Sequence, residues 1–110
     1  MLPPVDYADP HLWLALDNGT LIEMDGADGA ILAEVDLGGT AGDLEIGPGG
    51  LWAADCQNDV VHVIDPLTAT IRGSIDVPGC PTRLAADPGT VWVVQGRAGT
   101  ISRLDPIELE

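Results

Sequence analysis

The residues of this chain that could do chemistry are two cysteines, two histidines and a large set of carboxylates. Cys56 and Cys80 lie 24 positions apart, a separation that suits a disulfide as well as two free thiols. A disulfide would indicate an oxidising compartment, so we expect an extracytoplasmic location if these two residues are bonded. Two free thiols would fit a cytosolic protein equally well.

The spacing of these residues predicts neither a metal site nor a bound cofactor. His62 lies in the apolar run from Val60 to Ile64, where a hydrogen-bonded core residue is expected, and His11 falls in a predicted loop far from both cysteines. Asp25 and Asp28 lie in the segment DGADGA. This segment lacks the ligand spacing and closing glutamate of a calcium loop, so we interpret it as a turn.

Motifs that activate a nucleophile or cradle phosphate are absent from the sequence. It contains no G-x-S-x-G segment, no phosphate-binding glycine loop and no metal triad, so we predict no catalytic residue. The alternative is an enzyme of the lyase or lactone-hydrolase type. Its site would be shared between subunits, with a carboxylate pair such as Asp17 and Asp55 converging there.

A repeat of about forty positions organises the chain. Its tryptophans are 39 and 40 positions apart, at Trp13, Trp52 and Trp92. Aspartates that close the next apolar run are each 40 positions apart, at Asp25, Asp65 and Asp105. Strand-like segments with this period predict the blades of a β-propeller, an all-β fold in which small antiparallel sheets stack around a channel.

The first two repeats contain four predicted strands each and the third contains three, here termed a to d from the channel outwards. Strand a is predicted at 4–8, 42–46 and 82–86, strand b at 11–16, 51–55 and 91–95, strand c at 20–25, 60–65 and 100–105, and strand d at 30–36 and 71–76. The inner runs are apolar on both faces, as expected for sheets covered on both sides. Asn18-Gly19 predicts a type I′ hairpin between the first b and c strands.

The segments GLWAADCQNDVVHVIDPLTAT and TVWVVQGRAGTISRLDP resemble the YVTN-type bacterial β-propeller repeat. The resemblance covers residues 39–106 well and 4–38 more loosely, and it extends to the NHL-type and streptogramin lyase-like propellers. It implies the fold. It also implies a range of functions, from extracytoplasmic binding modules, kinase sensor domains and surface-layer proteins to a few enzymes.

By length the chain is a single domain, 1–110, with blades at about 4–38, 39–78 and 79–110 and with the last blade incomplete. Three blades would leave an apolar sheet face bare at each end, so we expect a homodimer that closes a six-bladed ring. Three copies would give nine blades. The competing interpretation is a fragment of a larger propeller that assembles in another way.

The predicted loops between strands b and c emerge at one mouth of the channel and suggest a polar, mostly acidic binding rim. The candidate ligand-binding residues are Asp17, Asn18, Asp55, Gln57, Asn58, Gln95 and Arg97. Cys56, Cys80 and Thr40 are predicted at the same mouth, and Asp43 and Arg83 are predicted to line the channel. We therefore expect a non-catalytic module that binds a protein, a peptide or a small polar ligand. A purely structural role is the remaining alternative.

The charge of the chain restricts its partners. Four Lys and Arg residues against 18 Asp and Glu residues give a formal net charge of -14, which repels nucleic acids and anionic membranes and attracts cationic groups. No stretch is long and apolar enough for a membrane span, and the first ten residues lack the basic and apolar regions of an export signal. We expect no nucleic acid partner and no membrane span.

Overall fold

A computed structural model describes residues 5–8, 11–87 and 89–104 of the chain. This part is all-β. Its strands are β1 (Val5–Ala8), β2 (His11–Ala15), β3 (Thr20–Asp25), β4 (Ile31–Asp36), β5 (Ala41–Gly47), β6 (Gly50–Asp55), β7 (Val60–Asp65), β8 (Thr70–Asp76), β9 (Pro81–Asp87), β10 (Thr90–Gln95) and β11 (Thr100–Leu104). Within the described residues no helix is long and apolar enough to cross a membrane.

The strands form three antiparallel sheets in which sequence neighbours pair. Blade 1 is β1-β2-β3-β4, blade 2 is β5-β6-β7-β8, and blade 3 is β9-β10-β11. The predicted fold class, an all-β arrangement of propeller blades, is confirmed. The predicted start of the first strand at Pro4 and the last residue of the third c strand, Asp105, lie outside the described residues.

Blade 2 lies between the other two blades, which explains its apolar runs. Leu51 and Ala53 of β6 belong to a buried cluster shared with blade 1, while Trp52 and Ala54 belong to a second cluster shared with blade 3. Successive residues of a strand point to opposite faces of the sheet, so every apolar residue of β6 is buried against one neighbour or the other. Two cores, one at each blade junction, hold the three sheets together.

The repeated tryptophan is the residue that packs one blade on the next. Trp13 is fully buried in the junction of blades 1 and 2, and Trp52 is fully buried in the junction of blades 2 and 3. The indole N–H of Trp52 also donates a hydrogen bond to the Pro48 carbonyl at 2.8 Å. Trp92 holds the same place in blade 3, but 44% of it is exposed.

The predicted hairpin at Asn18-Gly19 is confirmed, but its predicted type I′ turn is wrong. The loop spans three residues, and Gly19 donates to the Leu16 carbonyl at 3.2 Å while its own φ is +89°. Asn18 keeps a negative φ, because its side-chain oxygen accepts the Thr20 N–H at 3.1 Å across the turn. A turn followed by one left-handed residue is the usual three-residue hairpin, and only its last position requires positive φ.

Candidate functional site

A cleft opens between blades 2 and 3 at the end of the sheets where strands β5 and β9 begin and β6 ends. Its volume is about 530 Å³. The residues that line it are Thr40, Gly42, Cys56, Gln57, Pro81, Thr82 and Arg83. They come from the starts of the two innermost strands and from the loop after β6, so the cleft lies at the predicted mouth of the channel.

Cys56 and Cys80 form a disulfide whose Cα atoms are 4.1 Å apart. It joins the loop after β6 to the connection that leads into β9, and therefore ties together the two segments that border the cleft. Asp59 supports this link, since its Oδ1 accepts the Cys80 N–H at 3.1 Å. Cys80 has a left-handed φ of +67°, a conformation that the bond and this hydrogen bond hold in place.

Arg97 lies beside the disulfide but not in the cleft lining. Its guanidinium is 4.0 Å from Cys56 Sγ and 3.9 Å from Asp59 Oδ1. Arg97 is largely exposed and Asp59 partly so, and solvent therefore screens their attraction. The stronger contact is the backbone N–H of Arg97, which donates to the Gly79 carbonyl at 2.9 Å and attaches the blade 3 loop to the connection.

The two residues predicted to line the channel connect the innermost strands of blades 2 and 3. Asp43 Oδ2 accepts the Leu84 N–H at 2.8 Å, and Arg83 donates to the Gly42 carbonyl at 3.5 Å. Each side chain thus bonds the backbone of the opposite strand. Arg83 is exposed, and it is the one charged residue among those that line the cleft.

Asp55 was predicted on the binding rim, and the structure places it in the interior instead. It is fully buried, and its carboxylate accepts hydrogen bonds from the Asn58 N–H at 3.1 Å, the Asn58 side-chain amide at 2.8 Å and the His62 ring at 2.9 Å. These three bonds satisfy a charge that would otherwise be costly to bury. The proposed catalytic pairing of Asp55 with the exposed Asp17 is therefore wrong.

Ser74, His62 and Asp55 form a chain of hydrogen bonds across blade 2. The other ring nitrogen of His62 lies 2.7 Å from Ser74 Oγ. This order of side chains resembles a catalytic triad, but none of the three lines the cleft. Their neighbours on blade 3 have no imidazole: Gln95, forty positions after Asp55, accepts from Thr100 and Ser102 at 2.8 and 2.6 Å. These hydrogen bonds link neighbouring strands of blade 2, and blade 3 has a corresponding set made by different residues.

Gln95 is also not a rim residue, because it is buried and its amide nitrogen donates to the Pro78 carbonyl at 2.9 Å. The same applies in part to Asn58, whose amide bonds Asp55 and the Gly38 carbonyl although the residue is exposed. Asp17 and Asn18 are exposed at the neighbouring hairpin, where the Asp17 carbonyl accepts from Thr40 at 3.4 Å.

Of the predicted rim residues only Gln57 lines the cleft. Thr40 and Cys56, placed at this mouth from the sequence, also line it, whereas Gly42, Pro81 and Thr82 were not selected. The signal that could have found them is the repeat itself, since they lie where strand a begins. The cleft lining contains no carboxylate, so the predicted acidic rim does not extend into it.

His11 begins β2, where its backbone pairs with Ala8 and Asp25, in agreement with the predicted strand at 11–16 and not with the predicted loop position. Among the residues whose positions are described, no group of three or more His, Cys, Asp or Glu residues is arranged to hold a metal ion.

Comparison with solved structures supports the architecture. No protein-family model and no curated protein matches the chain. The structure of the Neurospora crassa Pan2 WD40 domain is similar to it, with a TM-score of 0.72 and 13% sequence identity. The fold is that of a β-propeller. The match covers 97% of this chain and 36% of the Pan2 chain, so this chain spans about a third of that structure.

Proposed function

We propose that this chain is a binding module without catalytic activity of its own, and that the cleft between blades 2 and 3 takes a short peptide or small molecule bearing one carboxylate. The observation that carries the proposal is the exposed guanidinium of Arg83 in a cleft whose lining contains no acidic residue. A guanidinium recognises a carboxylate by two parallel hydrogen bonds, which the single long bond to Gly42 leaves room for.

The lining also provides a place for an apolar group. Cys56 of the disulfide and the side chains of Thr40 and Thr82 line it beside the buried Pro81, and Gln57 adds a hydrogen-bonding amide. Few polar groups in a mostly apolar concave surface are typical of ligand sites. Because Cys56 is bonded to Cys80, one border of the cleft is fixed before a ligand arrives, which reduces the ordering cost of binding.

The net charge of -14 sets a limit on the ligand. A run of acidic residues would be repelled by the chain as a whole, while a single carboxylate close to Arg83 gains from the local charge. We therefore propose a ligand with one carboxylate rather than an acidic segment. The resemblance to YVTN-type bacterial repeats favours such a binding role, and the disulfide favours an extracytoplasmic location.

The test is an NMR titration of the full chain with N-acetyl-leucine and with N-acetyl-leucinamide, which share an apolar body and differ in the carboxylate. We expect N-acetyl-leucine to shift the NMR signals of the Gln57 side-chain amide and the Thr82 backbone amide at a lower concentration than N-acetyl-leucinamide does. An exposed charge pair contributes about 1 kcal/mol, which corresponds to about a fivefold difference in affinity.

The matched variants are Arg83→Gln and Arg72→Gln. Arg72 is also exposed and also donates to a backbone carbonyl, that of Gly49, but it lies on β8 and does not line the cleft. Arg83→Gln should remove the preference for the acid, and Arg72→Gln should preserve it. Equal shifts with both compounds in the unmodified chain, or an unchanged preference in Arg83→Gln, would refute the proposed site.

A further inference from the structure

Blade 3 has one sheet face that no other described residue covers. Trp92 pairs with Ala85 on one side and Arg103 on the other, and Val94 pairs with Ile101, so these five residues share a face. The opposite face of β10, with Val91 and Val93, packs on blade 2. On the open face Trp92 is 44% exposed and Ile101 is 68% exposed. We call these five residues the blade 3 edge.

Blade 1 has a matching open face on its side away from blade 2. Leu14 pairs with Ile22, which pairs with Glu34, and Leu12 pairs with Met24, which pairs with Ile31. These six residues are half-buried or exposed, whereas Trp13 and Leu21 on the other face are fully buried against blade 2. We call the six residues the blade 1 edge.

The blade 3 edge and the blade 1 edge correspond to the two sheet faces that meet at each of the two blade junctions within the chain. At the junction of blades 2 and 3, blade 2 contributes the face that carries Trp52, and Trp92 is the equivalent residue on the blade 3 edge, forty positions later. At the junction of blades 1 and 2, blade 2 contributes its opposite face, which carries Leu51 and Ala53. Leu12 and Leu14 flank Trp13 as Leu51 and Ala53 flank Trp52. The blade 1 edge is therefore equivalent to the face of blade 2 that packs against the preceding blade.

Charge also favours contact between these two edges over contact between two identical ones. Residues 1–38 contain eight of the 18 acidic residues and no Lys or Arg. Residues 79–110 contain three of the four arginines. Arg103 lies on the blade 3 edge and Glu34 on the blade 1 edge. Two blade 1 edges would repel each other, whereas a blade 3 edge and a blade 1 edge attract.

We propose that the blade 3 edge binds the blade 1 edge of a second copy, and that the reverse contact closes a two-fold ring of six blades. The inference goes beyond the proposed ligand site and does not depend on it. Blade 3 limits each junction to three strands about 4.8 Å apart and five residues long, a face of about 240 Å², so the two junctions bury about 950 Å². That area is below the usual range for stable complexes, so the dimer dissociates on dilution.

The test is light scattering on the full chain over a range of concentrations. The expected mass at high concentration is twice the 11.4 kDa of one chain, and it falls towards 11.4 kDa on dilution. Ile101→Glu and Trp92→Glu place a charge on the blade 3 edge and should give monomers. Leu67→Glu adds the same charge at a residue that is 93% exposed and lies on neither edge, and this variant should remain dimeric.

A mixing experiment checks which edges meet. Leu14→Glu disrupts the blade 1 edge and should also be monomeric, but a mixture of Leu14→Glu with Ile101→Glu retains one intact pair of edges. The mixture should form a 1:1 dimer that is at least tenfold weaker than the unmodified dimer. A monomer at every concentration, a mass of three chains, a dimeric Leu14→Glu chain or no association in the mixture would overturn the proposal. A monomer would instead assign both edges to further blades of a longer polypeptide.

Discussion

The carboxylate of Asp55 lies 2.9 Å from the Nε2 atom of His62, and no part of Asp55 is exposed to solvent. The contact joins the end of β6 to the middle of β7, and through Ser74 it continues to β8. A polar side chain next to the cleft is therefore part of the framework of blade 2. Its neighbour Gln57, two residues further on, is the one that reaches the cleft.

Replacing Asp55 with alanine should strongly destabilise the chain. The change removes the acceptor of three hydrogen bonds and leaves the buried His62 ring without one of its partners. We expect a loss of about 3 kcal/mol in the free energy of unfolding, measured by urea denaturation. Asp17→Ala, at an exposed hairpin position, should change it by less than about 0.5 kcal/mol. Similar values for the two variants would contradict the structural role of Asp55.

The disulfide should contribute measurably to stability. Joining residues 24 positions apart restricts the unfolded chain, and the expected gain from the lost loop entropy is about 3.5 kcal/mol. Cys56→Ser with Cys80→Ser should therefore lower the urea midpoint, and reduction of the unmodified chain should lower it by the same amount. Reductant should not affect the double variant. A thiol titration of the denatured chain gives a second readout, with no free thiol expected before reduction.

The repeat in the sequence predicts the sheets well, because each blade buries apolar residues at equivalent positions of its strands. The spacing of Trp13 and Trp52 marks them as equivalent positions of successive blades, and the apolar residues on both faces of β6 indicate a sheet covered on both sides. That these tryptophans lie at the blade junctions comes from the structure. The third tryptophan follows the same rule. Trp92 occupies the equivalent place on β10 but is 44% exposed, since no blade among the described residues packs against that face.

The direction of polar side chains near strand ends could not be predicted in the same way. Asp55 and Gln57 are both polar and both lie next to the hairpin after β6, yet one is buried and one lines the cleft. The difference depends on His62 in the next strand, which offers Asp55 a partner inside the sheet. Similarly, Asn18-Gly19 suggested two left-handed residues, but the bond from Thr20 to the Asn18 side chain favours a turn with one.

Ala69 offers a stabilising substitution. Its φ is +55°, a left-handed conformation that costs a residue with a Cβ about 1 kcal/mol relative to glycine, and the equivalent residue of blade 1 is Gly29 with φ +76°. Ala69→Gly should raise the free energy of unfolding by up to about 0.5 to 1 kcal/mol at the thermal midpoint, and should therefore raise that midpoint slightly. Ala27→Gly is the control, since Ala27 lies in the corresponding turn of blade 1 without positive φ and should lose stability.

Asp43 should hold blade 3 to blade 2. Its Oδ2 atom accepts the backbone N–H of Leu84 at 2.8 Å across the junction. In Asp43→Ala this partly buried N–H loses its acceptor, and we expect a cost of about 2 kcal/mol at the junction, or about thirtyfold faster amide exchange at Leu84. Asp43→Asn retains an oxygen acceptor and should restore most of the protection. Asp76→Ala, at an exposed residue on the outer strand of blade 2, should not change exchange at Leu84. Exchange that rises equally at Leu84 and at Leu51, in the other junction, would instead indicate a general loss of stability.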